Sequence, residues 1–269
     1  MLTDRVDATL LDACPDLGVV ANMAVGYDNL DVAELTRRGI PAGNTPGVLT
    51  GSTADLAWAL ILAATRRLPE GAAAVMAGEW LTWEPDWLLG VDVAGATLGI
   101  VGFGRIGAAV ARRAAGFDME ILAWSRTPKD VEGVTFVPLD EVLRRSDVVS
   151  LHCALTDETR GLIGAKELRA MKHTSVLVNT ARGPIVDQGA LARALRTGEI
   201  FAAGLDVVDH EPIPADDELL SLPNCLVLPH VGSATVATRA RMADMAVDNV
   251  LAVLAGDPPP TCVNPEALG

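Results

Sequence analysis

From residue 97 onward, short apolar runs alternate with amphipathic stretches. Thr97–Val101, Glu120–Trp124, Asp147–Leu151, Ser175–Asn179, Phe201–Asp206 and Cys225–Leu228 each read as a strand. Ile106–Ala115, Leu139–Arg145 and Gln188–Arg196 read as helices, the last opened by Asp187. Apolar runs of this length, separated by helices, predict parallel strands buried on both faces. The expected fold class is α/β, a doubly wound parallel sheet. The first 45 residues are patterned differently. Asp7–Cys14 and Asp31–Arg38 read as helices, Gly18–Met23 as a strand, and Gly39-Ile-Pro41 as a turn. A long helix follows near Thr53–Arg67, and another near Thr235–Leu254 is long enough to return to the first domain. The expected division is therefore a smaller domain from 1–45 plus 239–269 and a larger one from 46–238.

Composition removes several function classes. The 269 residues carry 21 Lys+Arg against 35 Asp+Glu, a formal net charge of −14. That balance argues against a nucleic-acid binder and against adhesion to an anionic membrane. The chain has no apolar run of about 18 residues, the length that would span a bilayer, so no membrane span is expected. The start has no charged segment followed by an apolar stretch, so a cytoplasmic protein is expected. Cys14, Cys153, Cys225 and Cys262 lie far apart with no metal-ligand spacing, and read as reduced, mostly buried thiols.

Gly102-Phe-Gly104-Arg105-Ile106-Gly107 directly follows a predicted strand and opens a helix. In that context the spacing is a dinucleotide signature. The first glycine permits the tight turn, the second lets the backbone approach a pyrophosphate, and the third lets helix and strand pack closely. The free N–H groups and positive dipole end of the helix then face the phosphates. An Asp or Glu about 20 residues on is the usual partner of a free ribose 2′-hydroxyl. Here the strand ends in Ala123-Trp-Ser125-Arg126-Thr127, with no acid. Ser125 and Thr127 can donate to a 2′-phosphate and Arg126 can neutralise it. NADP(H) is therefore favoured, with NAD(H) open if Arg126 is an ordinary surface arginine.

Three polar residues follow consecutive strands, where open α/β sheets bind their ligands. They are Arg182 in Asn179-Thr-Ala-Arg-Gly183, Glu211 in Asp206-Val-Val-Asp-His-Glu-Pro212, and His230 in Leu228-Pro-His-Val-Gly-Ser-Ala-Thr235. Carbonyl reduction by a nicotinamide needs a proton donor at the developing alkoxide and a cation for the substrate. Histidine commonly supplies the first, and a neighbouring carboxylate favours its protonated form. Arginine grips a carboxylate through two parallel bonds. Each residue alone also has an ordinary reading, as a helix cap, a surface partner or a solvated loop acid; their combination downstream of a nucleotide motif carries the argument. His210 is the main rival acid, with His152 and His173 behind it.

Taken in order along the chain, these segments resemble the D-isomer-specific 2-hydroxyacid dehydrogenase family, and within it the glyoxylate/hydroxypyruvate reductases. Val25-Gly-Tyr-Asp-Asn-Leu-Asp31, Asn44-Thr-Pro-Gly-Val-Leu-Thr50, Thr53-Ala-Asp-Leu-Ala57, Gly102–Gly107, Asn179–Gly183, Asp206–Pro212 and Pro229–Thr235 all match in family order. The resemblance implies a flavodoxin-like smaller domain and a reductase of small 2-oxo acids. It implies Arg182 as substrate-binding, His230 as acid/base and Glu211 as its tuner. Backbone groups at Val25 and Gly26 would help hold the substrate carboxylate, and Ser233 would lie near His230. The candidate cofactor set adds Thr53, Cys153, Thr180 and Asp206 to Gly102, Gly104, Arg105, Ile106, Gly107, Ser125, Arg126 and Thr127.

Trp80, Trp83 and Trp87 fall within one short segment of a chain with five tryptophans. They read as a subunit interface. The resemblance implies a homodimer through this arm, with Trp83 either packed there or reaching the neighbouring site. Members of that family normally begin about fifty residues before Leu2-Thr-Asp4, so either the start of this sequence is set too late or the smaller domain is truncated. Two other activities stay open: an NAD-linked dehydrogenase of a phosphoglycerate-like or larger 2-oxo acid, and a non-catalytic dinucleotide-sensing scaffold. Ser125-Arg126-Thr127 counts against the first, and the Arg182, Glu211, His230 set against the second. A fragment that does not fold stably is the last alternative.

Overall fold

A computed structural model describes residues 4–269. The expectation about the chain start at Leu2-Thr3 lies outside those residues. The chain forms two compact units, Met1–Ser52 with Ser233–Gly269, and Thr53–Gly232. The smaller unit thus runs to Ser52 and resumes at Ser233, where the sequence reading set its limits at 45 and 239.

In chain order the elements begin with α1 (Ala8–Ala13), β1 (Val20–Ala21), α2 (Val32–Arg37), β2 (Ala42–Gly43), α3 (Thr50–Thr65) and α4 (Leu68–Met76). There follow β3 (Thr97–Val101), α5 (Arg105–Ala114), β4 (Glu120–Trp124), β5 (Thr135–Phe136), α6 (Leu139–Arg145) and β6 (Val148–Leu151). The chain continues through α7 (Ala165–Ala170), β7 (Val176–Asn179), α8 (Gln188–Thr197), β8 (Ala202–Leu205), β9 (Cys225–Val227) and α9 (Val236–Leu254).

The larger unit is built on a seven-stranded sheet of order β5-β4-β3-β6-β7-β8-β9. Every neighbouring pair is parallel. The doubly wound arrangement expected from the strand pattern is therefore present, and the order reverses between β3 and β6. Strand residues alternate between two apolar layers. Val101, Leu122, Val149, Leu151, Leu177 and Leu205 join α6, α7 and α8 in one. Leu98, Ile100, Ala123, Val148 and Val178 join α3 and α5 in the other. Burial on both faces is why these strands read as continuous apolar runs.

Helix starts follow cap chemistry. The Asp187 carboxylate accepts from Ala190 N at the head of α8, Asp31 from Glu34 N at α2, and the Thr235 hydroxyl from Thr238 N at α9. In the smaller unit β1 and β2 pair in parallel, Val20 with Ala42 and Ala21 with Gly43. Leu11, Leu35 and Ile40 form its apolar centre. Buried Asn264 stitches the C-terminal tail to this sheet: its Oδ1 accepts from Ala42 N at 2.8 Å and its Nδ2 donates to Ile40 O at 3.0 Å. Among the described residues no helix is long and apolar enough to cross a membrane. All four cysteines are free thiols, and Cys14 is exposed rather than buried because it ends a short surface helix.

Gly183 sets the spacing between the β7 and β8 loops. A Cβ there would overlap the carbonyl group of Val208, which is backbone and cannot swing aside. Gly183→Ala should therefore cost about 3 kcal/mol of unfolding free energy, read by urea titration. A variant as stable as the parent would show that the two loops are free to part.

Candidate active site

The end of β3 is shaped by backbone approach. Gly102 has φ +97°, and a Cβ there would stand 2.6 Å from Cys153 Cα. A Cβ at Gly107 would overlap the Gly102 carbonyl. Gly104 differs: it is exposed, no heavy atom lies within 4 Å of its Cβ position, and it caps α5 without a side-chain hydrogen bond. An open backbone cradle at an uncapped helix start, with Arg105 exposed and Ile106 half-buried beside it, fits a dinucleotide pyrophosphate.

Gly102 N donates to Trp124 O at 2.8 Å, so Ser125 begins directly beside the glycine loop. Ser125 is half-buried, while Arg126 and Thr127 are exposed. Lys129 adds a cation that the sequence reading did not single out. Its Nζ donates to Phe103 O at 3.2 Å, over the middle of the glycine loop. No local spacing announces that contact; only its position just past the β4 end hinted at it.

Across the switch point, His152 is held between Ser150 Oγ, 2.8 Å from Nε2, and Thr180 Oγ1, 3.4 Å from Nδ1. Burial pushes its imidazole down to about 3, so the ring is neutral and poorly suited to donate a proton. Burial likewise pushes the Cys153 thiol up to about 11.

The strand ends of β7, β8 and β9 carry the polar trio in one unit. Arg182 is half-buried, and its Nη1 donates to Ala181 O at 2.8 Å. Asn179, buried at the end of β7, brackets the turn before it: Oδ1 accepts from Ala181 N and Nδ2 donates to Arg182 O. Glu211 Oε2 lies 2.7 Å from His230 Nδ1. Its other oxygen accepts from Val208 N at 3.2 Å, which fixes the carboxylate. No described residue engages His230 Nε2, leaving that nitrogen for a ligand. His230 itself adopts φ +54°, a left-handed conformation that a non-glycine residue holds only when its surroundings over-determine it.

Asp206 does the over-determining. Its carboxylate accepts from Val231 N at 2.7 Å and Gly232 N at 2.8 Å, and its carbonyl accepts from His230 N at 2.9 Å. Burial raises its pKa, opposed chiefly by those two N–H groups. The sequence reading had Asp206 only as a cofactor contact; its role as the staple of the His230 loop was not legible there. Thr53 is buried, and its side chain lies 3.4 Å from the Cβ position of Gly232, beside the same loop.

The rival histidines stand apart from this cluster. His210 is largely exposed, with Nε2 3.7 Å from the Asp209 carboxylate. His173 Nδ1 lies 3.2 Å from Gly198 O. In the smaller unit Val25, Gly26 and Ser233 are half-buried. Trp80, Leu81 and Trp83 are exposed, Trp83 to 80%.

This arrangement can bind a dinucleotide at β3 and pairs an imidazole with a carboxylate in the loops after β8 and β9. The comparisons agree with it. Residues 58–232 match the family model described as D-isomer specific 2-hydroxyacid dehydrogenase, NAD binding domain. A glyoxylate reductase of Korarchaeum cryptofilum is 54% identical over 273 residues, spanning 100% of this chain and 82% of the relative. The crystal structure of a Thermus thermophilus protein superposes with TM-score 0.93 at 50% identity, covering 97% of this chain and 84% of that one. An NADPH-dependent glyoxylate/hydroxypyruvate reductase from Sinorhizobium meliloti, solved with NADP and malonate, gives TM-score 0.89 at 38% identity, covering 98% and 82%. With its nucleotide-binding unit matched over residues 58–232 and relatives at about half identity along its whole length, the chain belongs to the D-isomer-specific 2-hydroxyacid dehydrogenase family.

Proposed function

We propose that this chain is an NADPH-preferring reductase of small 2-oxo acids, with glyoxylate and hydroxypyruvate as substrates. The observation that carries the reading is the Glu211–His230 pair at 2.7 Å, in the same unit as the open Gly104 cradle. The substrate class draws support from the relatives' names: a glyoxylate reductase in one case, a glyoxylate/hydroxypyruvate reductase in the other.

In this reading the N–H groups that open α5 hold the pyrophosphate, and Ser125, Arg126, Thr127 and Lys129 hold the 2′-phosphate. Thr53, Cys153, Thr180 and Asp206 complete the cofactor set. Bound reduced nicotinamide supplies a hydride to the substrate's carbonyl carbon. Arg182 orients the 2-oxo acid through its forked donors. In the smaller unit, the Val25 and Gly26 N–H groups take the substrate carboxylate, with Ser233 a further substrate contact. His230 delivers a proton from Nε2 to the carbonyl oxygen as negative charge develops there. The Glu211 carboxylate, held by Val208 N, engages Nδ1 and fixes the ring so that Nε2 faces the substrate. The exposed Trp80–Trp87 arm is read as a homodimer contact, with Trp83 either packed within it or extended to the partner's substrate.

The test is turnover by the purified chain, with NADPH and NADH compared on glyoxylate and on hydroxypyruvate, and the mass of the same sample read by light scattering. A dimer that oxidises NADPH much faster than NADH is expected. A folded protein that turns over neither nucleotide would overturn the reading in favour of a dinucleotide-sensing scaffold.

A further inference from the structure

Three consecutive carbonyls in the loop after β1 are tied down by hydrogen bonds. Ala24 O accepts from Thr45 N at 2.9 Å. Val25 O accepts from the side-chain amide of Asn44, Nδ2, at 2.8 Å. Gly26 O accepts from Asn22 Nδ2, also at 2.8 Å. Asn22 and Asn44 are both buried, at 6% and 8% exposure. In a trans peptide the C=O and the N–H of the next residue point in opposite directions. Tying Ala24 O and Val25 O to the 44–45 segment therefore turns the N–H groups of Val25 and Gly26 together away from it. Among the described residues neither N–H has an acceptor. Two adjacent, half-buried donors without an acceptor make a carboxylate cradle, since such groups are costly to leave unpaired.

Of the two ties that aim these donors, one is backbone to backbone and tolerates any side chain. The other depends wholly on the Asn44 amide. We infer that Asn44 is a positioning residue for substrate: by holding Val25 O it aims the Gly26 N–H at the carboxylate of the 2-oxo acid. The inference rests on the reading of Val25 and Gly26 as carboxylate donors given above. The Asn44 backbone is held separately, its N donating to Thr261 O at 3.2 Å and its carbonyl accepting from Asn249 Nδ2 at 3.3 Å. A change of its side chain therefore leaves the strand end anchored and frees only the Val25–Gly26 peptide. An amide donor on the carbonyl also polarises that peptide and strengthens its N–H as a donor.

Asn44→Ala should raise KM for glyoxylate about tenfold, the worth of one misdirected hydrogen bond. KM for NADPH and kcat should stay within about twofold. Asn44→Asp supplies a readout that a merely structural role would not move. Its ionised carboxylate repels Val25 O, but its protonated form donates to it as the amide does. The ratio of its glyoxylate KM to that of the parent should therefore fall as pH is lowered from 7.5 to 5.5. An unchanged glyoxylate KM in Asn44→Ala, or equal losses toward glyoxylate and NADPH, would overturn the inference while leaving the proposed activity standing. Absence of turnover in the parent chain would instead strike the activity itself. If neither variant folds, the parent decides: with NADP+ present, oxalate should shift the Val25 and Gly26 amide resonances, and unmoved resonances would sink the inference.

Discussion

Replacing His230 with asparagine is expected to lower kcat for glyoxylate reduction by a factor of about 10²–10⁴, the usual worth of a positioned general acid. In barrier height that is about 3–5 kcal/mol. Asparagine is the informative substitution because His230 sits at φ +54°, where Asn is tolerated better than most residues. The loop geometry held by Asp206 then survives, and NADPH affinity should be unchanged by fluorescence titration. His230→Ala should lose the same activity with an added loss of stability. Glu211→Gln separates acid from tuner. Its oxygen can still accept from Val208 N, but its amide then faces His230 Nδ1 and donates to it. That favours the neutral ring and disfavours the protonated one that reduction needs. kcat for glyoxylate should fall about tenfold, the worth of one charge-assisted hydrogen bond, with KM for NADPH unchanged. A His230→Asn enzyme retaining most of its activity would remove the acid from His230, and an unchanged kcat in Glu211→Gln would remove the role of the carboxylate.

The parts of this site that were legible in the sequence are those fixed by the sheet. Val176–Asn179 and Ala202–Leu205 are buried at every position, so their apolar runs mark strands, and Arg182 and Glu211 follow at the ends where such sheets bind ligands. The helix starts at Asp31, Asp187 and Thr235 were legible because a cap is a local interaction. What stayed hidden depends on tertiary approach or on disguised local signals. α4 has a weak local signal: it contains Pro69 and Gly71, both poor in a helix interior, although proline is well placed in a first helical turn, and Arg67 at φ +51° parts it from α3. β2 and β5 are two residues each, too short to show a period. Lys129 meets Phe103 O across 26 positions, and Asn44 meets Val25 O across 19, with no periodicity linking either pair. Asp206 was visible as a strand-end acid, but its double acceptance from Val231 and Gly232 needs the β9 loop folded back over β8.

Ser125→Asp is expected to reverse the nucleotide preference. In a chain of formal net charge −14, a 2′-phosphate is bound only where cations are concentrated, and the segment after β4 carries exposed Arg126 and brings Lys129 to the glycine loop. A carboxylate at position 125 sets a negative charge beside a group carrying about −2, and it offers two acceptors to a free ribose diol. kcat/KM for NADPH should fall about 100-fold, while that for NADH rises severalfold. Arg126→Ala removes the charge without adding the repulsion. It should cost about tenfold with NADPH and leave NADH nearly unchanged, consistent with the loss of one charge-assisted contact. The NADPH penalty in Arg126→Ala should also shrink at high salt, because the exposed guanidinium is screened in the parent enzyme. Reduction of glyoxylate with saturating nucleotide should keep its kcat in both variants, since neither residue belongs to the β7–β9 cluster. Equal losses with both nucleotides would show that residues 125–127 support the loop without reading the phosphate, and selectivity would then rest on Lys129.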